Sequence, residues 1–201
     1  MSESRATPLT VAQLNVPDRI ATTGVLLQCQ PGDILGWHTA KQLLSMRRVF
    51  IENADEHLMT ALALLAGQRE WTYADGTVPA RAPIRLFPID PFGHWAVQLA
   101  ADADWIGWMR DEGKNHWVRS VACEQLHVDL GQVIHLRSVI IGWLLSLRQM
   151  LGDSVIDLMN VDGRAMTVLQ QMRLGSIFTV DGMDSGFGSS GVRASQSGLR
   201  P

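Results

Sequence analysis

The chain has 201 residues, 46% hydrophobic and 18% charged, with a formal net charge of −3. That suffices for one domain with a sizeable core and is too apolar for intrinsic disorder, and so even a charge balance gives no reason to expect a nucleic-acid partner. Two cysteines, Cys29 and Cys123, cannot build a disulfide scaffold or a four-cysteine zinc site.

The stretch 1–8 is polar and lacks the apolar run of a secretory signal. The most apolar segment runs from Val133 to Leu151, but only ten residues separate Arg137 from Arg148. A bilayer needs roughly 18 to 20 apolar residues, so no membrane span is expected and the chain reads as cytoplasmic. Its cations are fifteen Arg and two Lys, Lys41 and Lys114. Guanidinium is weakly hydrated and binds in planar, bidentate fashion, which suits interfaces.

In chain order, residues 1–19 read as an N-terminal arm, with Pro8 and Pro17 breaking any regular element. Ile20 to Gln30 carries β-branched residues and ends in a Pro31-Gly32-Asp33 turn, a strand signal. From Ile34 to Ala66 the pattern predicts two helices. One carries Leu43, Leu44, Met46, Val49 and Phe50, and the other Leu58, Met59, Leu62 and Leu65. Asn53 is the candidate cap between them, with Glu56 completing a capping box and Gly67 closing the second helix. Glu70–Tyr73, Asp75-Gly76 and Thr77-Val78 predict a short hairpin near 70–78.

Four prolines in 79–91 exclude a helix there and suit an extended linker or edge. Helical character is expected over Phe92–Arg110, over Trp117–Leu130 running on to Leu151, and more briefly over Gly152–Asn160 and Arg164–Leu174. Residues 181–201 hold five Gly and five Ser and read as a flexible tail that only a partner would order. No internal repeat is evident. The expected fold is a single, mainly α domain with a small β element (α+β), spanning 20–180 between arm and tail.

Gly186-Phe-Gly188-Ser-Ser-Gly191 matches the dinucleotide fingerprint in letters, yet the ten residues after it cannot supply the helix and second strand that such a site needs. Glu124-Gln-Leu-His127 would put a carboxylate and an imidazole on one helix face, but a dinuclear metal site requires a second such motif. His127 and His135 on one helix would stand about 12 Å apart, too far for one ion. No metal and no cofactor are expected.

Trp95, Trp105, Trp108 and Trp117 fall within 23 residues, flanked by Arg110 and Arg119. Core packing accounts for such a group, and so does contact with a partner, since Trp and Arg are the enriched anchors of interfaces.

The segment Asn115-His-Trp-Val-Arg-Ser-Val-Ala-Cys-Glu-Gln-Leu126 resembles the Asn-Cys-Glu-His-Phe signature of the LRAT-like branch of the NlpC/P60 papain-like hydrolases. Pro31-Gly-Asp-Ile-Leu35 is similar to that family's opening strand, Gly93-His-Trp-Ala-Val97 to its catalytic-histidine strand, and Arg137-Ser-Val-Ile-Ile141 to the helix after its cysteine. The resemblance implies Cys123 as nucleophile at a helix N-terminus and His94 as base, with His57 taking that role under the spacing of the circularly permuted members. A thiol so placed supports acyl transfer.

Two functions follow as expectations. The leading one is a non-enzymatic structural or interaction subunit of a larger assembly, homo- or hetero-oligomeric, held by arm, Trp/Arg surface and tail. A phage or bacterial complex would suit such a chain. The alternative is a papain-like cysteine hydrolase or acyltransferase built on Cys123.

Overall fold

The computed structural model of the protein describes residues 10–14, 24–46, 48–67, 69–73, 82–100, 104–110 and 112–181. The first sheet contains β1 (Thr10–Leu14), β2 (Gly24–Gln28), β3 (Arg48–Glu52) and β4 (Glu70–Tyr73), side by side in that order. β1 is antiparallel to β2, and the remaining pairs are parallel. Helix α1 (Trp37–Ser45) connects β2 to β3, and α2 (Glu56–Ala66) connects β3 to β4.

The second sheet repeats this plan. It contains β5 (Ile84–Pro88), β6 (His94–Leu99), β7 (Gln125–Asp129), β8 (Val155–Met159) and β9 (Thr179–Val180), again in chain order. Its first pair is antiparallel and the rest parallel. The connections are α3 (Trp105–Arg110) with a 3-10 stretch Glu112–Ser120, then α4 (Ser138–Leu151), then α5 (Gly163–Gln171) with a 3-10 turn Leu174–Ser176. The two halves share a winding that no sequence repeat announces.

Right-handed crossovers that always step to the next strand lay every connection on one face of the sheet. Burial follows that rule. Trp95, Val97 and Leu99 of β6, Leu126 and Val128 of β7, and Ile156 and Leu158 of β8 are buried. The alternate residues Ala96, Gln98, His127, Asp129 and Asp157 are half-buried on the outward face. The covered faces of the two halves meet: α2 packs against the 3-10 stretch and against β5, and the Leu35 amide donates to the Ser120 carbonyl at 2.7 Å. One hydrophobic cluster runs through both halves.

The protein is therefore an α/β fold with two substantial sheets, and neither the mainly α expectation nor the label alpha-helical holds. β3 interrupts the helical run expected over 34–66, with Val49 and Ile51 buried and Arg48 and Phe50 exposed, a period of two. β6 occupies the start of the expected 92–110 helix, and β7 the end of the 117–130 stretch. The 152–160 segment contains β8 and no helix. These strands have five or six residues, and apolar runs that short do not separate strand from helix by periodicity. β2 and α4 form inside their expected windows, and α5 begins one residue before its own. Glu70–Tyr73 pairs with β3, and 74–81, where the rest of the expected hairpin falls, lie outside the described residues, as do 1–9, 15–23 and 182–201 of arm and tail. Among the described residues no helix is long and apolar enough to cross a membrane.

Asp55, not Asn53, caps α2. Its carboxylate accepts from the Leu58 amide at 2.8 Å and from the Gly32 amide at 3.0 Å, tying the turn after β2 to the helix after β3. Gly93 combines a left-handed backbone with a close approach that leaves little room for a side chain. Its φ is +84°, and a Cβ there would sit 2.8 Å from Glu124 Cγ, while its carbonyl accepts from the Glu124 amide at 2.8 Å to start β7.

A strand at 155–159 turns residues 155 and 158 to opposite faces, whereas a helix would put them on one. Leu158→Ala is expected to cost about 2–5 kcal/mol, and Val155→Ala, at a side chain 47% exposed, within about 0.5 kcal/mol of nothing. Urea unfolding of both variants measures the contrast, and equal losses would restore the helical reading.

Candidate functional site

In open α/β sheets the functional crevice lies outside the carboxyl ends of the parallel strands. Here those ends are joined by one carboxylate. Asp129, the last residue of β7, accepts from the Gly131 amide and from Asn160 Nδ2, both at 2.9 Å, and from Gln98 Nε2 of β6 at 3.3 Å. The register aligns Gln98 with Asp129 and Asp129 with Met159, so the network spans three neighbouring strands. Asn160 takes φ +55°, a left-handed turn that Asn tolerates better than most residues, and Asp162 caps α5 by accepting from the Ala165 amide at 2.6 Å. Burial works to raise the Asp129 pKa, but the donors from Asn160, Gly131 and Gln98 outweigh it and hold the carboxyl below the usual aspartate range.

This carboxylate anchors the base of the loop 130–137. The loop opens with a turn in which the Val133 amide donates to the Leu130 carbonyl at 2.8 Å, and it ends at Arg137, the N-cap of α4. Arg137 supplies no side-chain cap, and although the Ile140 and Ile141 amides donate to its carbonyl, no partner among the described residues takes the Ser138 and Val139 amides, which leaves positive partial charge at the start of this 14-residue helix. Ile134 on this loop is 68% exposed, with His135, Arg137 and Ser138 exposed around it. Ile106, 60% exposed, lies in the first turn of α3, which packs on α4. Beneath them Asn115 fixes α4 to the 3-10 stretch: its Oδ1 accepts from Trp143 Nε1 and its Nδ2 donates to Ser146 Oγ, both at 3.0 Å.

Comparison with family models, with curated proteins and with solved structures found no match for this chain. The edge is read from its own chemistry: a pinned loop, an exposed aliphatic side chain, a guanidinium and an uncapped helix end.

The residues singled out from the sequence fall in three places. Trp95, Trp105 and Trp117 are buried and Trp108 half-buried, while Arg110 and Arg119 are exposed. Trp105 and Trp108 pack with Trp143 at ring distances of 5.5–5.8 Å, and Trp95 Nε1 donates to the Ala122 carbonyl at 2.9 Å. Cys123 lies between the 3-10 stretch and β7, half-buried against the core, and burial together with the Glu124 charge pushes its thiol up to about 12. Among the described residues its sulfur has no hydrogen bond to an imidazole. His94 Nδ1 is 2.8 Å from Asp90 Oδ2, and His57 of α2 packs edge-on against His116 at 4.6 Å. His127 lies in β7 and Glu124 just before that strand, so no helix puts the two on one face. His127 lies 3.5 Å from Asp157, which also accepts from Gln125. Among the described residues no three His, Cys, Asp or Glu side chains are grouped to hold a metal ion. The glycine fingerprint at 186–191 lies outside the described residues.

Asp129, Asn160 and Ile134 were not singled out from the sequence. Their signal was there in the endings Asp129-Leu-Gly131 and Asn160-Val-Asp162-Gly163, polar turn residues closing alternating runs.

A depressed carboxyl pKa stabilises the fold above the unfolded value of about 3.9 and loses that contribution as pH falls through the folded value. Asp129→Asn should therefore be less stable than the parent at pH 7, with the difference shrinking as pH is lowered below about 4. Urea midpoints of both proteins across that range read this directly. A difference independent of pH would mean that the carboxylate's charge contributes nothing.

Proposed function

We propose that the protein is a non-enzymatic interaction subunit that docks a partner protein on the carboxyl edge of its second sheet. The observation that carries this reading is Ile134, a large aliphatic side chain left exposed on a loop already anchored by Asp129. A loop held in place before binding loses little entropy on docking. The contact is an apolar anchor ringed by positive charge, from Arg137 and the open amides of α4. It suits a partner segment that offers an apolar pocket or side chain flanked by carboxylates. Ile106 extends the apolar area along α3.

The state of Cys123 supports the non-enzymatic reading. The thiolate is the nucleophile, and a thiol at about 12 stays protonated at neutral pH. Two free cysteines also suit a reducing, cytoplasmic setting.

The test uses tagged full-length chain in extracts of its native cells, comparing the parent with Ile134→Asp and with Phe92→Ser. Phe92 is 75% exposed but lies before β6, at the amino ends of the parallel strands, and serves as the control. A partner kept by the parent and by Phe92→Ser is expected to lose affinity roughly thirtyfold with Ile134→Asp, the scale of one interface anchor. Equal retention by Ile134→Asp contradicts the assigned surface. Rapid native alkylation of Cys123 at neutral pH would instead favour thiol chemistry.

A further inference from the structure

A cavity of about 230 Å³ lies at the seam of the two halves, where the end of α2 meets the carboxyl end of β6. Small side chains, Ala63, Ala82 and Ala100, leave the space, and three polar side chains reach it: Arg85, Gln98 and Gln132. Among the described residues the lining holds one cation and no carboxylate.

Among the described residues Arg85 makes no ion pair and no hydrogen bond, not even to a carbonyl at the end of α2. Its position is nevertheless defined. It is the direct cross-strand partner of Gln98, and a Cβ built on Gly67 would meet its Nε at 3.6 Å. Gln98 is oriented as well. Its Nε2 donates to Asp129, so its Oε1 is left as an acceptor.

We propose that this cavity binds a small carboxylate that also carries an N–H or O–H donor. The Arg85 guanidinium takes the carboxylate through paired hydrogen bonds, the geometry that suits its planar fork. Gln98 Oε1 accepts from the ligand's donor, and the alanine walls enclose a short apolar body. The space is below the range of pockets for drug-sized ligands, which limits the occupant to about ten heavy atoms. This inference stands apart from the docking reading and survives if that reading fails.

The test is a titration of the isotope-labelled full chain with L-malate and with L-glutamate, followed by NMR, with sodium chloride and inorganic phosphate as controls. Saturable shifts are expected at the side-chain amides of Gln98 and Gln132 and at Arg85 Nε with at least one of the two carboxylates, and not with chloride. Arg85→Gln, at an exposed position, should fold normally and bind at least tenfold more weakly. Ala63→Leu, which fills the space, should bind at least tenfold more weakly too. The proposal is overturned by no saturation up to about 20 mM of either carboxylate, by unchanged affinity in Arg85→Gln, or by phosphate binding as tightly as the carboxylates.

Discussion

A sheet whose parallel strands run in chain order sends all its connections across one face, and the other structural features follow from that constraint. The buried rows of β6, β7 and β8 have one helical layer to pack against, and the rows of β2 and β3 face the same situation. Each half by itself would leave that layer half covered. The two meet through it, with α2 against the 3-10 stretch and with Trp71, Trp95, Trp117 and Trp143 essentially inaccessible to solvent. Burying a Leu-sized side chain contributes about 1.5–3 kcal/mol, so a core drawn from both halves is worth far more than either half could collect.

The shared layer also positions the candidate site. Asn115 binds Trp143 and Ser146, which sets α4 relative to the segment that packs on α2. Register places Gln98, Asp129 and the end of β8 in one row, which lets a single carboxylate tie three strand ends. A slip of one residue in β7 would turn Asp129 inward and Val128 outward, so the hydrophobic pattern that fixes the register also fixes the lock. The loop bearing Ile134 inherits its order from both: Asp129 holds its start and α4 its end.

Individual elements were legible in the sequence but the fold class was not, and the misread parts share a physical cause. α4 and α5 were long or well bounded, and Gly67 marked the end of α2. β3 was absorbed into a helix because Val49 and Phe50 continue the stripe of Leu43 and Met46, although Arg48-Val-Phe-Ile-Glu52 alternates inward and outward. In β7 and β8 the outward residues are His127, Asp129 and Asp157, polar because that face is open, and this alternation was the evidence for strands. The site was less legible still. Asp129 and Asn160 are 31 residues apart and meet only through parallel pairing, which local pattern cannot foresee. The tryptophans drew attention by their clustering, yet their chemistry suits a core as well as a surface, and the core took three of the four.

The dependence of the whole on one shared helical layer is tested most directly by native-state hydrogen exchange of the full chain. The amides of Val49 and Ile51 in β3 and those of Leu126 and Val128 in β7 should exchange with the same free energy, through one global unfolding. A first half that opens at distinctly lower free energy, while β7 stays protected, would contradict the account.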